Sequence, residues 1–409
     1  MMVLCVGAAN HLSSKDLRCA HAHSKISRRK RSLARSIIAL ISIDESYVAA
    51  MRIKGAAFLF FIFGCAGSGS MEATVDGGAG GSNGSGSSTS SGDGSTSGDG
   101  STTGDGSTTG SGSDAGAGLT HTIGGCAMFP AGNGSRDSYA YWNQDITGAS
   151  VDALSDSYMA SMGVNTLHPD FGSDPAYGIP YDTVPSGQTR VGMTFDDPDE
   201  SDPGPYPFPS DAPIEAGDDH HVLIVDRDAC MLYETDASIY DSSSNSWAAF
   251  SGAKFDLSSG ALRPDTWTSA DASGGPILIG LARYEEVTTG VIDHALRFTA
   301  HRTQKAYIHP ATHEAGISSE SDAPPMGLRI RIKPAVCQVL LDGAGSSHPQ
   351  AKVIVAAMCK YGMILADNGS NYYVSGATDS RWDDDDLTYI KTIPSTDFEA
   401  IDTGTLIKD

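Results

Sequence analysis

The stretch His220-His221-Val222-Leu223-Ile224-Val225-Asp226-Arg227-Asp228-Ala229-Cys230-Met231-Leu232-Tyr233-Glu234 decides how this chain is read. Four consecutive aliphatics, Val222 to Val225, are bounded by two histidines on one side and by Asp226 and Asp228 on the other. A short unbroken apolar run between polar residues predicts a buried strand that delivers polar groups at both its ends. Cys230 to Glu234 then reads as its hairpin partner.

Working outward, strand-like runs follow at Trp247 to Leu257, Pro276 to Arg283, Val291 to Thr299, Lys305 to His309 and Gly327 to Lys333. The last alternates, with Leu328, Ile330 and Ile332 expected inward and Arg329, Arg331 and Lys333 outward, as in a half-buried antiparallel strand. Met363 to Ala366 and Tyr372 to Val374 read as two strands joined by the turn Asp367-Asn368-Gly369. Helical spacing of Val151, Leu154, Tyr158 and Met162 predicts a helix within Thr147 to Met162, and a broad apolar stripe predicts another over Gln350 to Tyr361. The acidic run Asp383 to Asp386 suits the start of a short helix through Ile390. From His168 to Pro213 the Pro, Gly and Asp content predicts ordered loop. The expected fold class is mainly β, an antiparallel β-sandwich of jelly-roll type or a barrel, with two or three short helices.

Composition sets the domain limits. Residues 65–120 are almost wholly Gly, Ser, Thr, Asp and Ala, with Gly-Asp-Gly-Ser-Thr repeats, and too little apolar surface to offset chain entropy. They read as a disordered linker, leaving residues 121–409 as a single globular β-rich domain. Upstream, Met51-Arg52-Ile53-Lys54 supplies a basic start, Gly55 to Phe63 an apolar run, and Gly64-Cys65 a small residue before cysteine. Residues 51–64 resemble a bacterial lipoprotein signal, with Cys65 as the lipidated residue. That places the true start at Met51 and makes residues 1–50 an extension of the gene reading. The expected location is the bacterial outer membrane or cell surface through Cys65, with plain secretion as the alternative. A Gly/Ser coil of this length spans about 40 Å root-mean-square, enough to hold a domain off a membrane.

Ten of the 27 basic residues and three of the 50 acidic ones precede Cys65, leaving 17 and 47, a net charge of about −30 for the rest. Such a surface cannot neutralise phosphates, so nucleic acid is excluded as a partner. Removing Cys5, Cys19 and Cys65 leaves four cysteines, an even number suited to an oxidising compartment. The preferred pairing is Cys126 with Cys230 and Cys337 with Cys359.

The motifs His221-Val222-Leu223-Ile224-Val225-Asp226-Arg227-Asp228, Trp267-Thr268-Ser269-Ala270-Asp271, His294-Ala295-Leu296-Arg297-Phe298-Thr299 and Tyr361-Gly362-Met363-Ile364-Leu365-Ala366-Asp367-Asn368-Gly369 resemble a family of secreted bacterial proteins. The resemblance covers Trp142 to Phe398. It implies one exported domain and carries no activity or residue role with it.

Chemistry must then be read from the residues. Glycoside hydrolysis needs two carboxylates and aromatic faces for sugar. Asp226, Asp271, Glu286 and Asp367, with His294 as a possible base, are the catalytic candidates, and His221, Trp267, Asn368 and Trp382 the substrate-binding ones. No cofactor is expected and no metal ligand set is assigned, although the histidines keep a metal-dependent hydrolase or oxidase open. The expected function is hydrolysis of extracellular polysaccharide by a monomer that touches the membrane only through its lipid. A lipoprotein that binds an envelope glycan without catalysis is the alternative.

Overall fold

The computed structural model describes residues 122–129, 135–401 and 404–408. The signal, the lipidation candidate Cys65 and the linker lie outside these residues. Two short strands, β1 (Thr122–Ile123) and β2 (Cys126–Ala127), pair first. Next come β3 (His168–Asp170), β4 (Tyr181–Val184) and β5 (Gly192–Phe195), then β6 (Val222–Asp226), β7 (Met231–Thr235), β8 (Ile239–Asp241), β9 (Ser246–Ala249) and β10 (Gly252–Asp256). The later strands are β11 (Leu296–Ala300), β12 (Arg329–Ile332), β13 (Met363–Asn368), β14 (Tyr373–Ser375) and β15 (Phe398–Ala400). Among the described residues the α-helices are α1 (Ser155–Met162), α2 (Tyr284–Thr289), α3 (Pro334–Ala344), α4 (Pro349–Lys360) and α5 (Asp384–Leu387), five where two or three were expected.

The domain is mainly sheet. A six-stranded sheet runs β15-β12-β13-β11-β14-β3, a four-stranded sheet β10-β7-β6-β4, and a three-stranded sheet β5-β9-β8. The expected antiparallel pattern needs correction, because β11 with β13, β14 with β3, β4 with β6, and β5 with β9 all pair in parallel. Parallel neighbours need crossovers of a dozen residues or more, and the long proline-rich stretch between β4 and β6 is such a crossover. Among the described residues no sheet closes into a barrel.

Strand β6 shows why the run Val222 to Val225 is unbroken. Leu223 and Val225 face a core shared with Ile364, Leu278 and Phe255, while Val222 and Ile224 face a second core with Tyr206, Phe208 and Trp247. A strand covered on both faces has no solvent side to mark with polar residues. On the far side of the six-stranded sheet a third core packs Phe298, Ile330 and Leu365 against Ile354 and Met358 of α4. The molecule is thus layered: helices, six-stranded sheet, shared core, four-stranded sheet, outer core.

Several local expectations change. Pro276 to Arg283 is a 3-10 turn over Leu278–Gly280, not a strand, and Lys305 to His309 makes only isolated bridges. The arginines of β12 do not face water: Arg329 is fully buried and Arg331 nearly so. Arg329 donates to the carbonyls of Tyr361 (2.8 Å), Tyr141 (2.6 Å) and Gln144 (2.9 Å), stitching the N-terminal segment to the sheet. Its guanidinium also lies over the Tyr141 ring at 4.5 Å. Period-2 alternation marks two different faces, and here both are inside.

Disulfides join Cys126 to Cys230 and Cys337 to Cys359, the expected pairing. They fit an oxidising extracellular environment. Among the described residues no helix is long and apolar enough to cross a membrane.

Candidate functional site

Where the shared core between the two large sheets runs out, a cleft of about 320 Å³ opens, lined by Asp170, Glu215, Asp219, His221, Arg297 and Asp367 among others. Its floor is a row across the six-stranded sheet. Ser375 of β14 pairs with Asp170 of β3, and the pairing of Phe298 with Val374 sets Arg297 of β11 beside Ser375. Laterally paired residues share a face, so Asp170, Ser375 and Arg297 point the same way. Arg297 Nη1 donates to Ser375 Oγ at 2.6 Å.

Asp367 joins this face through a bulge. On β13, Leu365 pairs with Phe298 but Asp367 pairs with Thr299, leaving Ala366 as an extra residue. Regular alternation would aim Asp367 with Leu365 into the helix-side core. The extra residue turns it instead to the side of Arg297, the re-aiming that bulges supply next to functional sites. Arg297 Nη2 meets Asp367 Oδ2 at 2.8 Å.

The same guanidinium carries a second carboxylate. Asp271 takes it as a fork, Nε to Oδ2 and Nη2 to Oδ1, both at 2.9 Å, and is itself 1 % exposed. Asp367 holds the guanidinium by one contact, accepts from the Asn368 amide at 2.7 Å, and its side chain is 23 % exposed to the cleft. Burial pushes the Asp367 pKa up to about 7, Asp271 adds to the rise, and Arg297 opposes it. Burial alone would depress the Arg297 pKa, but Asp271 holds it above the ordinary arginine range. One cation between two acids leaves the less tightly held acid as the proton carrier.

On the opposite wall, His221 stands just before β6. Its Nδ1 contacts Glu215 Oε2 at 2.6 Å and its Nε2 contacts the Ala270 carbonyl at 3.2 Å. A carbonyl can only accept, and the carboxylate is an acceptor too, so both ring nitrogens need protons and the ring is an imidazolium. Burial works against that charge, but the hydrogen bond and charge of Glu215 win and raise the pKa to about 9. Glu215 is lowered by the same pair although burial opposes it. Asp170 is raised by burial, and its carboxylate makes no hydrogen bond or ion pair among the described residues. Behind the cleft, fully buried Glu234 accepts from the Ile277 and Leu278 amides at 2.8 and 2.9 Å, and burial raises its pKa to about 7.

Of the residues singled out from sequence, Asp271, Asp367, His221 and Asn368 meet at this cleft or directly behind it. The others lie elsewhere. Asp226 sits at the far end of β6, about 17 Å from His221 by strand rise, accepting from Ser186 Oγ (2.7 Å), Arg190 (3.1 Å) and the Ala229 amide (3.1 Å). Glu286 and His294 form a separate buried group with Arg283, with His294 Nε2 3.1 Å from Glu286 Oε1. Trp267 lies under the Arg263 guanidinium at 5.4 Å, and buried Trp382 packs between Phe171 and Tyr284.

Sequence reasoning missed Arg297, Glu215, Asp170, Asp219 and Tyr177. Arg297 carried a usable signal: a charge between Leu296 and Phe298 in an apolar strand has to find a buried partner. Glu215, Asp170 and Asp219 sit in or beside loop-rich stretches where acids are common, and only the tertiary approach of the loops selects them. Among the described residues no group of three or more His, Cys, Asp or Glu side chains is arranged to hold a metal ion. No family model, curated protein or solved structure matches the chain.

Proposed function

We propose that this protein is an exported lipoprotein, anchored at the outer membrane or cell surface through Cys65, whose domain hydrolyses extracellular polysaccharide in the cleft around Arg297. The observation that carries the reading is one guanidinium shared by two carboxylates, with the second, Asp367, open to the cleft and raised toward neutral pH. Asp367 is the general acid that protonates the leaving sugar oxygen. Asp271 is a positioning residue that fixes Arg297. Asp170, unpartnered on the same face, serves as the base that activates water. Three strand intervals separate β13 from β3, about 14 Å between backbones. Aspartate side chains cannot shorten that to the ~5 Å of a covalent mechanism, so the proposed reaction has no glycosyl-enzyme intermediate.

A flat aromatic platform would favour glycan binding without catalysis, but Trp142, Trp247 and Trp382 are only 2–3 % exposed. The test is reducing-sugar release by the full chain across a polysaccharide panel. Asp367→Asn is expected to lower release about 100-fold or more, the scale of a lost general acid. Asp226→Asn should stay within about threefold, because that carboxylate braces a turn remote from the cleft. No release from any glycan, or full activity in Asp367→Asn, overturns the proposal.

A further inference from the structure

The Arg297 cleft is not the only cavity on this edge of the sheet. A second, of about 350 Å³, is lined by His168, Phe171, Asp174, Tyr177, Asp384 and Lys391. Tyr177 belongs to both linings and is 55 % exposed, so one phenol ring stands at the junction of the two. His168, on the second cavity, stacks on Tyr373, on the first, with centroids 4.2 Å apart and planes 21° apart. Strand β3 lies between the two, giving His168 to one and Asp170 to the other.

Each cavity alone is at the small end of ligand sites, which run to roughly 300–1,000 Å³. The two linings meet at Tyr177, whose exposed ring offers a sugar a face to stack on, while the His168 and Tyr373 rings cover each other. Its charge is one-sided. The first cavity carries Asp170, Glu215, Asp219 and Asp367 against His221 and Arg297, and both cations are already engaged by acids. The second adds Asp174 and Asp384 against Lys391 and His168. Burial lowers the pKa of His168, so at neutral pH it contributes no positive charge. The Asp170 carboxylate, like that of Asp219, has no hydrogen-bond partner among the described residues.

We infer that the two cavities are one groove, bridged at Tyr177, which holds a run of several sugars and prefers a glycan bearing free amines over a neutral or uronic-acid one. An ammonium at the sugar 2-position finds the unpaired carboxylates of Asp170 and Asp219, whereas a uronate meets an excess of like charge, six acids in the two linings against Arg297, His221 and Lys391. This deepens the reading of the Arg297 cleft as a polysaccharide site and rests on it.

The test is calorimetric titration of the full chain with β-1,4-linked glucosamine oligomers from dimer to hexamer. Cello-oligomers of the same lengths share the backbone and lack the charge, and oligogalacturonates carry the opposite charge. Expected are a glucosamine hexamer bound at least tenfold tighter than the dimer and tenfold tighter than cellohexaose, an affinity falling with salt, and no measurable oligogalacturonate binding. Tyr177→Ala should weaken the hexamer at least tenfold more than it weakens the dimer, because the hexamer alone has to cross the junction. Equal affinity for charged and neutral hexamers, no gain beyond the dimer, tighter uronate binding, or no binding at all overturns the inference. Binding is read without turnover, so a chain that binds amine oligomers but cleaves nothing sinks the hydrolase proposal and spares this one. Cleavage of a neutral glycan without amine preference does the reverse.

Discussion

Arg297 grips Asp271 through two parallel hydrogen bonds of 2.9 Å, and nothing of that pair reaches solvent beyond a few per cent of either side chain. Removing the cation from such a pair strands a buried carboxylate. Arg297→Met is therefore expected to cost about 3–5 kcal/mol of stability. The check is the urea midpoint of unfolding with disulfides intact. Because the stranded charges are acids, part of the loss should return near pH 4, and a loss below about 1 kcal/mol would contradict the account.

The raised Asp367 carboxyl sets the pH profile. Its acid form is the working form, so glycan release is expected to fall as pH rises through about 7. Stability follows the same sign: a carboxyl whose folded pKa lies above its unfolded value binds its proton more tightly when folded. Its contribution is favourable at low pH and is lost as pH climbs from about 4 toward 7. Asp367→Asn should remove both slopes. A release rate still rising at pH 8 would rule Asp367 out as the acid.

His221 and Glu215 respond at opposite ends of the scale. The imidazolium's raised pKa gives stability that is complete below about 6.5 and lost as pH rises through about 9. The lowered Glu215 pKa gives stability that is complete above its unfolded value and lost as pH falls into the acid range. Glu215→Gln should drop the His221 titration well below 9. Nitrogen NMR of the ring reads this directly, and an unmoved titration would mean Glu215 is not its counter-ion.

The two disulfides differ in reach. Cys126–Cys230 closes 104 residues of sequence and Cys337–Cys359 only 22. Loop-closure entropy predicts losses of about 4–5 kcal/mol for the first and about 3 kcal/mol for the second when each pair is replaced by alanine. Thermal unfolding of the two double variants should rank them in that order. The reverse order would mean that the unfolded chain is already compact around Cys126.

Much of the layout could be read from sequence. The run Val222 to Val225 predicts a buried strand with polar groups at both ends, and β6 is that strand, covered on both faces. Even so, only the His221 end opens on the cleft, because the Asp226 end folds into a turn braced by Arg190. The alternation Leu328 to Lys333 was visible, but its meaning was not. Arg329 and Arg331 are buried because carbonyls of the N-terminal segment lie against them, a partner no local pattern encodes.

By itself the sequence determined a mainly β domain and the buried strand at Val222 to Val225, and favoured the cysteine pairing that is found, because apolar periodicity and composition act locally along the chain. Only the tertiary structure decided that β11 and β13 run in parallel, that a single extra residue turns Asp367 toward Arg297, and that Asp170, Glu215 and Asp219 close on one cleft. These depend on register and on loops meeting across two sheets. Register is set by pairing between strands more than 60 residues apart in the chain, where no spacing along one strand can record it.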